Sequence, residues 1–405
     1  MKELFSLGDL YVSDFAKVSE DSLATKEPLT LMLEESTGAV RLSSVTDPDK
    51  MYRKYWYRSG VTSTMTQELK SIAEELPDLI PVENGDVFLD IACNDGTLLK
   101  FAPKSMTKVG VDPVDDSYYE ESTQRADLII QDYFSAEAYK ASKFGHKKAK
   151  IISVIAMFYD IDDPVSCLND ISEIMDDEGL LVLQMSYTPL MLKQLAFDNI
   201  CHEHIYYYTL TSIKKILESV GFTIVDCILN DINGGSFRVY IRKNSADKTN
   251  FRSAPYRDVA DFRTEALLQY EDKMGAACAE TYHDFYKRIC VLKDETVAFI
   301  KKIKSEGKTV WAYGASTKGN TLLQWYGLDN SHIDGIAERT PYKFGLSTVG
   351  TNIPIYSEDE MRKIHPDYLL ILPWHFINEF TKREKEYLDK GGKFIVPCPK
   401  LQIIS

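Results

Sequence analysis

The chain has 405 residues, and 47 Lys+Arg against 61 Asp+Glu give a formal net charge of −14. Its length suggests two or three domains, and 44% hydrophobic with 27% charged residues is globular composition, which excludes a disordered chain or a collagen-like fibre. The acidic balance makes nucleic acid a poor partner, because phosphate backbones are held by basic surfaces.

In chain order, MKELFSLGDLYVSDF carries acids and no continuous apolar core, so it does not read as a signal peptide. LTLMLEESTGAVRL is amphipathic and suits a hairpin, and the aromatic stretch MYRKYWYRSG follows. MTQELKSIAEELPDLI has helical spacing and is expected to end near Pro81. Five apolar runs then alternate with helical segments: 87–92, 107–113, 127–134, 150–158 and 179–186. That alternation predicts a parallel α/β sheet. FTIVDCILND and FRVYIRK flank an Asn-Gly turn and predict an antiparallel hairpin at its edge. Residues 246 to about 307 read as one or two long helices. A second α/β unit follows, with strands in TVWAYGA, IDGIAER, DYLLILPW and KFIVPCP, a helix in TKGNTLLQWYGL and another through Glu379–Leu388. The expected division is 1–65, 66–245 and 246–405.

Seven widely spaced cysteines without a CxxC pair argue against a disulfide framework or a zinc ribbon. No run of about 18 apolar residues suggests a membrane span. The expectation is a cytoplasmic protein with reduced thiols, monomeric or weakly self-associating, without membrane or nucleic-acid partners.

LDIACNDGTLLKF (89–101) is the strongest local motif. A strand ending in Asp90 enters a small-residue turn through Ala92, Asn94 and Gly96, and a helix opens at Thr97. Such a turn is where α/β sheets hold nucleotide-like ligands. A single glycine and an acid-rich turn do not suit a pyrophosphate, which wants several exposed amides. A cationic ligand fits better, and S-adenosylmethionine carries a sulfonium. Asp112, followed by Pro113, ends the next strand, where an acid can accept from ribose hydroxyls. Asp132 and Tyr133 end the third, beside the expected adenine. A ligand-free domain with a capping Asp and a turn Gly is the plainer alternative.

LAFDNICHEHIYYYTL (195–210) follows the fifth strand and so lies at the mouth of that site. Glu203 or His204 could remove a proton from a substrate carbon. The alternatives are a structural role and a metal pair, His202-x-His204, for which no third ligand is evident. Lys318, in the strand-to-helix turn WAYGASTKGNTLL, suits a diphosphate or is simply a solvated helix-start lysine. His375 could approach the site or merely pack.

Taken together, MYRKYWYRSG, LDIACNDGTLL, AFDNICHEHIYYYTL, NDINGGSFRVYI, AYGASTKGNTLLQ, KFGLSTVGTNIPI and PDYLLILPWHF, in that order, resemble the sugar C-methyltransferases acting on nucleotide-linked keto-deoxysugars. The resemblance spans nearly the whole chain. It implies an N-terminal zinc-type module, a class I S-adenosylmethionine methyltransferase domain and a C-terminal Rossmann-like domain. It also implies an S-adenosylmethionine cofactor and a nucleotide-sugar substrate methylated through an enolate. Asp90, Asn94, Gly96 and Asp112 fall on its cofactor positions, and Ala92, Pro113, Asp132 and Tyr133 join them here. Glu203 and His204 fall on its proton-transfer positions, and Tyr57 or Tyr55 in the aromatic segment that closes on the sugar. Asn233 starts a turn beside the active site. Tyr313, Gly314, Ala315, Lys318 and Asn320 fall in a loop facing the nucleotide sugar.

Three departures stand out. Glu34 and Thr37 occupy the place of a CxxC, so no zinc is expected. Cys201 replaces the usual Tyr before HEH, and Asp160 replaces the usual His in AMFYDIDDP; both lie near the expected sugar. Competing readings are an O- or N-methyltransferase on another small molecule and a non-catalytic nucleotide-sugar-binding relic. A dehydrogenase is disfavoured, since neither glycine turn has full dinucleotide spacing.

Overall fold

The computed structural model describes residues 1–17, 25–52, 56–114, 116–252 and 259–405. Near the N-terminus, β1 (Lys2–Tyr11) pairs antiparallel with β3 (Lys26–Leu33), which pairs with β4 (Val40–Leu42); β2 (Phe15–Ala16) lies between them in sequence. The expected hairpin in LTLMLEESTGAVRL is therefore present, with Leu33 opposite Val40. Leu29, Leu31 and Leu33 alternate inward, as a two-residue period requires. Glu34 and Thr37 sit in its turn, where the Thr37 hydroxyl donates to the Glu34 carboxylate at 2.5 Å. β1 escaped the sequence reading because two register shifts break its alternation.

The central strands are β5 (Val87–Ile91), β6 (Thr107–Val111), β7 (Leu128–Ile130), β8 (Ala149–Ile155) and β9 (Met175–Ser186). β10 (Tyr206–Tyr207), β11 (Phe222–Asn230) and β12 (Ser236–Lys243) follow. Seven of them form one sheet in the order β11-β12-β9-β8-β5-β6-β7, parallel except for β12, which runs antiparallel to both neighbours. β5 and β9 are buried on both faces, the reason their apolar runs are continuous rather than alternating. β7 is shorter than expected, since Gln131 and Asp132 turn to solvent. The first long helix, Ser63–Leu79, runs through Pro77 and ends close to the expected position. β10 joins β4, so the segment after HEH is stitched to the N-terminal sheet.

The spacer forms two helices, Ala260–Met274 and Ala279–Ser305. The first lies against β11, where Arg263 pairs with the buried Asp226. The second buries Tyr282, Phe285 and Ile289 in a core shared with Leu4, Phe5 and Leu7 of β1 and with the C-terminal sheet. That sheet contains β13 (Val310–Tyr313), β14 (Ile336–Glu338), β16 (Ile355–Ser357), β17 (Tyr368–Ile371), β18 (Lys393–Val396) and β19 (Gln402–Ile404). Its order is β16-β14-β13-β17-β18-β19, parallel except for β19; β15 (Ser347–Thr348) pairs with β2 instead. The N-terminal sheet thus has no separate core. The helix expected through Glu379–Leu388 is two, Ile377–Arg383 and Lys385–Asp389. Between them the buried Glu384 receives the Tyr313 hydroxyl and the Arg362 guanidinium. The fold is α/β, a methyltransferase-type sheet followed by a second α/β unit. No described helix is long and apolar enough to cross a membrane.

Candidate active site

A cavity of about 500 Å³ opens at the C-terminal ends of β5, β6 and β8. It is walled by Tyr57 and Ser59, by Glu203 and His204, by the Ser316–Lys318 loop and by Pro373, His375 and Phe376. Seven carboxyl groups and one lysine line it.

On one side, the chain leaves β5 through Ala92 and Asn94, both left-handed at φ 59° and 50°. That conformation aims the Asn94 amide at Asp112, whose Oδ2 accepts it at 2.7 Å while its Oδ1 accepts from Val114 N at 2.9 Å. Burial raises the Asp112 carboxyl from its usual range, and the two amides oppose that shift. Asp90, 4% exposed, accepts from the Ser153 hydroxyl at 2.6 Å; burial pushes it up to about 7, with Asp112 and Asp95 adding to the effect. Ala92, Pro113 and Tyr133 also line the cavity, and the Tyr133 hydroxyl donates to Asp49. Gly96 does not line it; its φ of 74° and a Cβ position 3.1 Å from Ser122 Cα make it a packing glycine. Asp132 is exposed and caps the Tyr133 amide.

Asn94 has a task the sequence did not suggest. Its side chain accepts from Ser59 N and donates to the Tyr57 carbonyl, both at 3.0 Å, while Gly60 N donates to Asp95 at 3.0 Å. Residues 57–60 are thereby strapped across the turn. The RSG glycine was the available signal: a Cβ on Gly60 would lie 2.8 Å from the Asp95 carboxylate. Tyr57 lines the cavity; Tyr55 lies outside the described residues. An adenosyl sulfonium fits these residues: Asp112 can accept from a ribose diol, and the excess of carboxyl groups favours a cation.

The other side is built from His202, Glu203 and His204, which separate. His202 turns away, its Nε2 donating to the Glu27 carbonyl at 3.1 Å. The two histidines therefore do not form a metal pair. His204 Nδ1 donates to the Asn199 carbonyl at 2.8 Å, which leaves Nε2 unprotonated. Burial and the neighbouring Lys318 hold His204 well below the usual histidine range. Glu203 faces the cavity, with its Oε2 3.5 Å from the Thr317 hydroxyl. Burial pushes its carboxyl up to about 7 against the pull of Lys318. A carboxylate poised near neutrality is suited to accept a proton, whereas protonating His204 would set a buried cation beside the half-buried Lys318 ammonium. Cys201 lies within 4.8 Å of the Glu203 and His204 donor atoms, and burial, then Glu203, raises its thiol.

Asp160, in the turn after β8, also lines the cavity. Burial and the nearby Glu203 raise its carboxyl well above the usual range, and Tyr52 hydrogen-bonds it. Its Oδ1 is buried with no hydrogen-bond partner among the described residues, a cost of about 1–3 kcal/mol in general.

From the C-terminal unit, Lys318 reaches in and donates to Asn199 Oδ1 at 2.6 Å. His375 and Asn233 line the cavity; burial and then Lys318 lower His375 to about 3. The remaining expected residues do not line it. Tyr313 points into the C-terminal unit, its hydroxyl bonding Glu358 at 2.8 Å and Glu384 at 2.7 Å. Gly314 packs under Pro373, where a Cβ would lie at 2.6 Å. Ala315 uses its amide on Glu338 and its carbonyl on Lys343. Asn320 donates to the Asp14 carbonyl at 3.4 Å.

Residues 61–226 match a family model described as a methyltransferase domain, and residues 231–399 one described as the C-methyltransferase C-terminal domain. The chain is 30% identical over 379 residues to the C-methyltransferase NovU of Streptomyces niveus, covering 93% of this chain and 88% of the relative. Solved structures bear more distant likeness. The plantazolicin methyltransferase BamL with S-adenosylhomocysteine is 15% identical at a TM-score of 0.34, over 45% of this chain and 86% of that one. The magnesium protoporphyrin IX methyltransferase of Synechocystis PCC 6803 is 15% identical at 0.31, over 44% and 79%.

Proposed function

The chain belongs to the C-methyltransferase family, and from that premise we propose that it methylates the carbon alpha to a ketone on a nucleotide-linked deoxysugar in the cytoplasm. S-adenosylmethionine, when bound, supplies a methyl group activated on a sulfonium. Asp112 holds the ribose end of this donor, and the turn 92–94 with Tyr133 encloses its base.

Glu203 is the group that takes the α-proton. The observation carrying this reading is that its buried carboxyl, near pKa 7, shares one cavity with the Asp112 turn. A ketone makes the neighbouring C–H acidic because the electron pair left behind delocalises onto oxygen. His204, fixed through Nδ1 by the Asn199 carbonyl, lines the same wall and keeps Nε2 as an acceptor. Tyr57, Ser59, Asn233, Lys318 and His375 line the same cavity, where the last three would border the sugar. Holding substrate carbon and donor in contact within this enclosure supplies the entropic part of the acceleration.

The test compares Glu203→Gln with His204→Asn on a panel of nucleotide-linked keto sugars, reading the one-methylene mass gain. Glu203→Gln should lower turnover by about 10²-fold or more, as positioned bases generally do, with a smaller loss for His204→Asn. An equal or larger loss in His204→Asn would reassign the base. Activity on substrates whose carbonyl has been reduced would sink the enolate reading.

A further inference from the structure

We propose that Asp160 is a further catalytic residue, whose carboxyl O–H hydrogen-bonds the substrate ketone oxygen and holds the enolate as Glu203 takes the α-proton. The inference rests on the ketone reading above and extends it to the oxygen side of the reaction.

Geometry carries it. Asp160 stands at the C-terminal end of β8, on the same cavity as Glu203. One of its oxygens is occupied by Tyr52, and the other, Oδ1, is buried without a partner among the described residues. The Tyr52 hydroxyl, which also lies 3.2 Å from the Glu203 carbonyl, sits beside the first oxygen, and Oδ1 is the atom that a substrate oxygen can complete. The free protein thus tolerates an unmade hydrogen bond where a ligand would make it.

The groups facing Asp160 agree with this role. Glu203 raises its affinity for a proton, and Lys318 opposes that but is itself bonded to Asn199. Tyr159, Cys201 and Tyr207 lie close, and burial raises each of them, so they stay neutral. A carboxylic acid kept neutral in an apolar site is a strong donor to an enolate. Electrons and protons balance. The C–H pair becomes the C=C bond, the carbonyl π pair moves to oxygen, the proton goes to the Glu203 carboxylate, and Asp160 keeps its own proton as a donor.

The experiment reads the proton step without methyl transfer. The full-length protein is incubated in D2O with S-adenosylhomocysteine and a nucleoside-diphosphate 4-keto-6-deoxyhexose, and single-deuterium gain is followed by mass spectrometry. Asp160→Leu, which removes the donor, should slow exchange by about 10²-fold or more. Asp160→Asn, which keeps an N–H at the same place, should stay within about tenfold of wild type. The pH profile separates the role from simple packing. Wild-type exchange falls on the alkaline side as Asp160 ionises, and the Asn variant lacks that limb. An Asp160→Leu protein exchanging at the wild-type rate, or an Asn variant that retains the alkaline limb, overturns the role of Asp160 alone. A wild-type protein that exchanges no proton on this probe overturns the ketone reading, and the role of Asp160 with it.

Discussion

The two sides of the cavity are wired differently. On the donor side, the contacts that shape Asp112 come from Asn94, 18 residues away, and Val114, two residues away, and both are main-chain amides. On the other side, Glu203, His204 and Asp160 are placed by Lys318, Asn199 and Tyr52, and Lys318 bonds Asn199 across 119 residues of sequence. Amide wiring fixes a shape whatever the side-chain ionisation. Charge wiring fixes a proton affinity and fails when one partner is lost. The donor side should therefore respond to mutation in binding, and the reacting side in pH dependence.

The sharpest way to break this distinction is Asp112→Ala. It removes the acceptor shared by two amides and, in the proposed function, offered to the donor ribose. Hydrogen bonds to a charged group contribute about 1.5–3 kcal/mol, so the Kd for S-adenosylhomocysteine measured by calorimetry should rise about 10–100-fold. Glu203→Gln should leave that Kd within about threefold, since it belongs to the other wiring. A large Kd change in Glu203→Gln would show that the two sides are one coupled unit.

Lys318→Met probes the charge wiring. The ammonium stabilises ionised Glu203 and so lowers its carboxyl, against burial. Removing it raises that carboxyl further above about 7, and the base is then ionised only at higher pH. The acid limb of proton exchange should move upward, and a displacement of about one unit would cost about tenfold at fixed pH below both limbs. Measured exchange profiles that superimpose would show that Lys318 does not set the proton affinity of Glu203.

The same division governs what could be read from the sequence. β5, β8 and β9 were visible because strands largely buried on both faces write continuous apolar runs, and Asp90 and Asp112 were visible because they end apolar runs. β1 was hidden by its bulges, and the strap by its dependence on Asn94 and Asp95, 35 residues away. The turn after β13 looked like a ligand loop throughout. Strand alternation instead sends Tyr313 toward Glu358 and Glu384, the close approach of Pro373 fills the space at Gly314, and Asn320 serves Asp14. Of the five residues expected there, Lys318 reaches the cavity, beside Ser316 and Thr317. Asp160 was noticed as a departure, but the orphan oxygen that gives it a role exists only once Tyr52 is packed beside it.

HEH gives the smallest expected effect and the finest test. The three residues are adjacent, yet His202 faces the N-terminal sheet and Glu203 the cavity. His202 is 2% exposed, burial lowers its proton affinity, and its Nδ1 is buried without a partner among the described residues. Replacing it with Phe keeps the bulk, removes one hydrogen bond to Glu27 and removes that orphaned nitrogen. Those terms oppose each other at about 1 kcal/mol each, so the unfolding midpoint should move by only a few degrees. Turnover and the pH profile should stay within about twofold of wild type. If His202→Phe instead shifts the acid limb of the profile, the N-terminal sheet is part of the charge wiring, and the boundary between the two sides must be drawn through β3 rather than through the HEH segment.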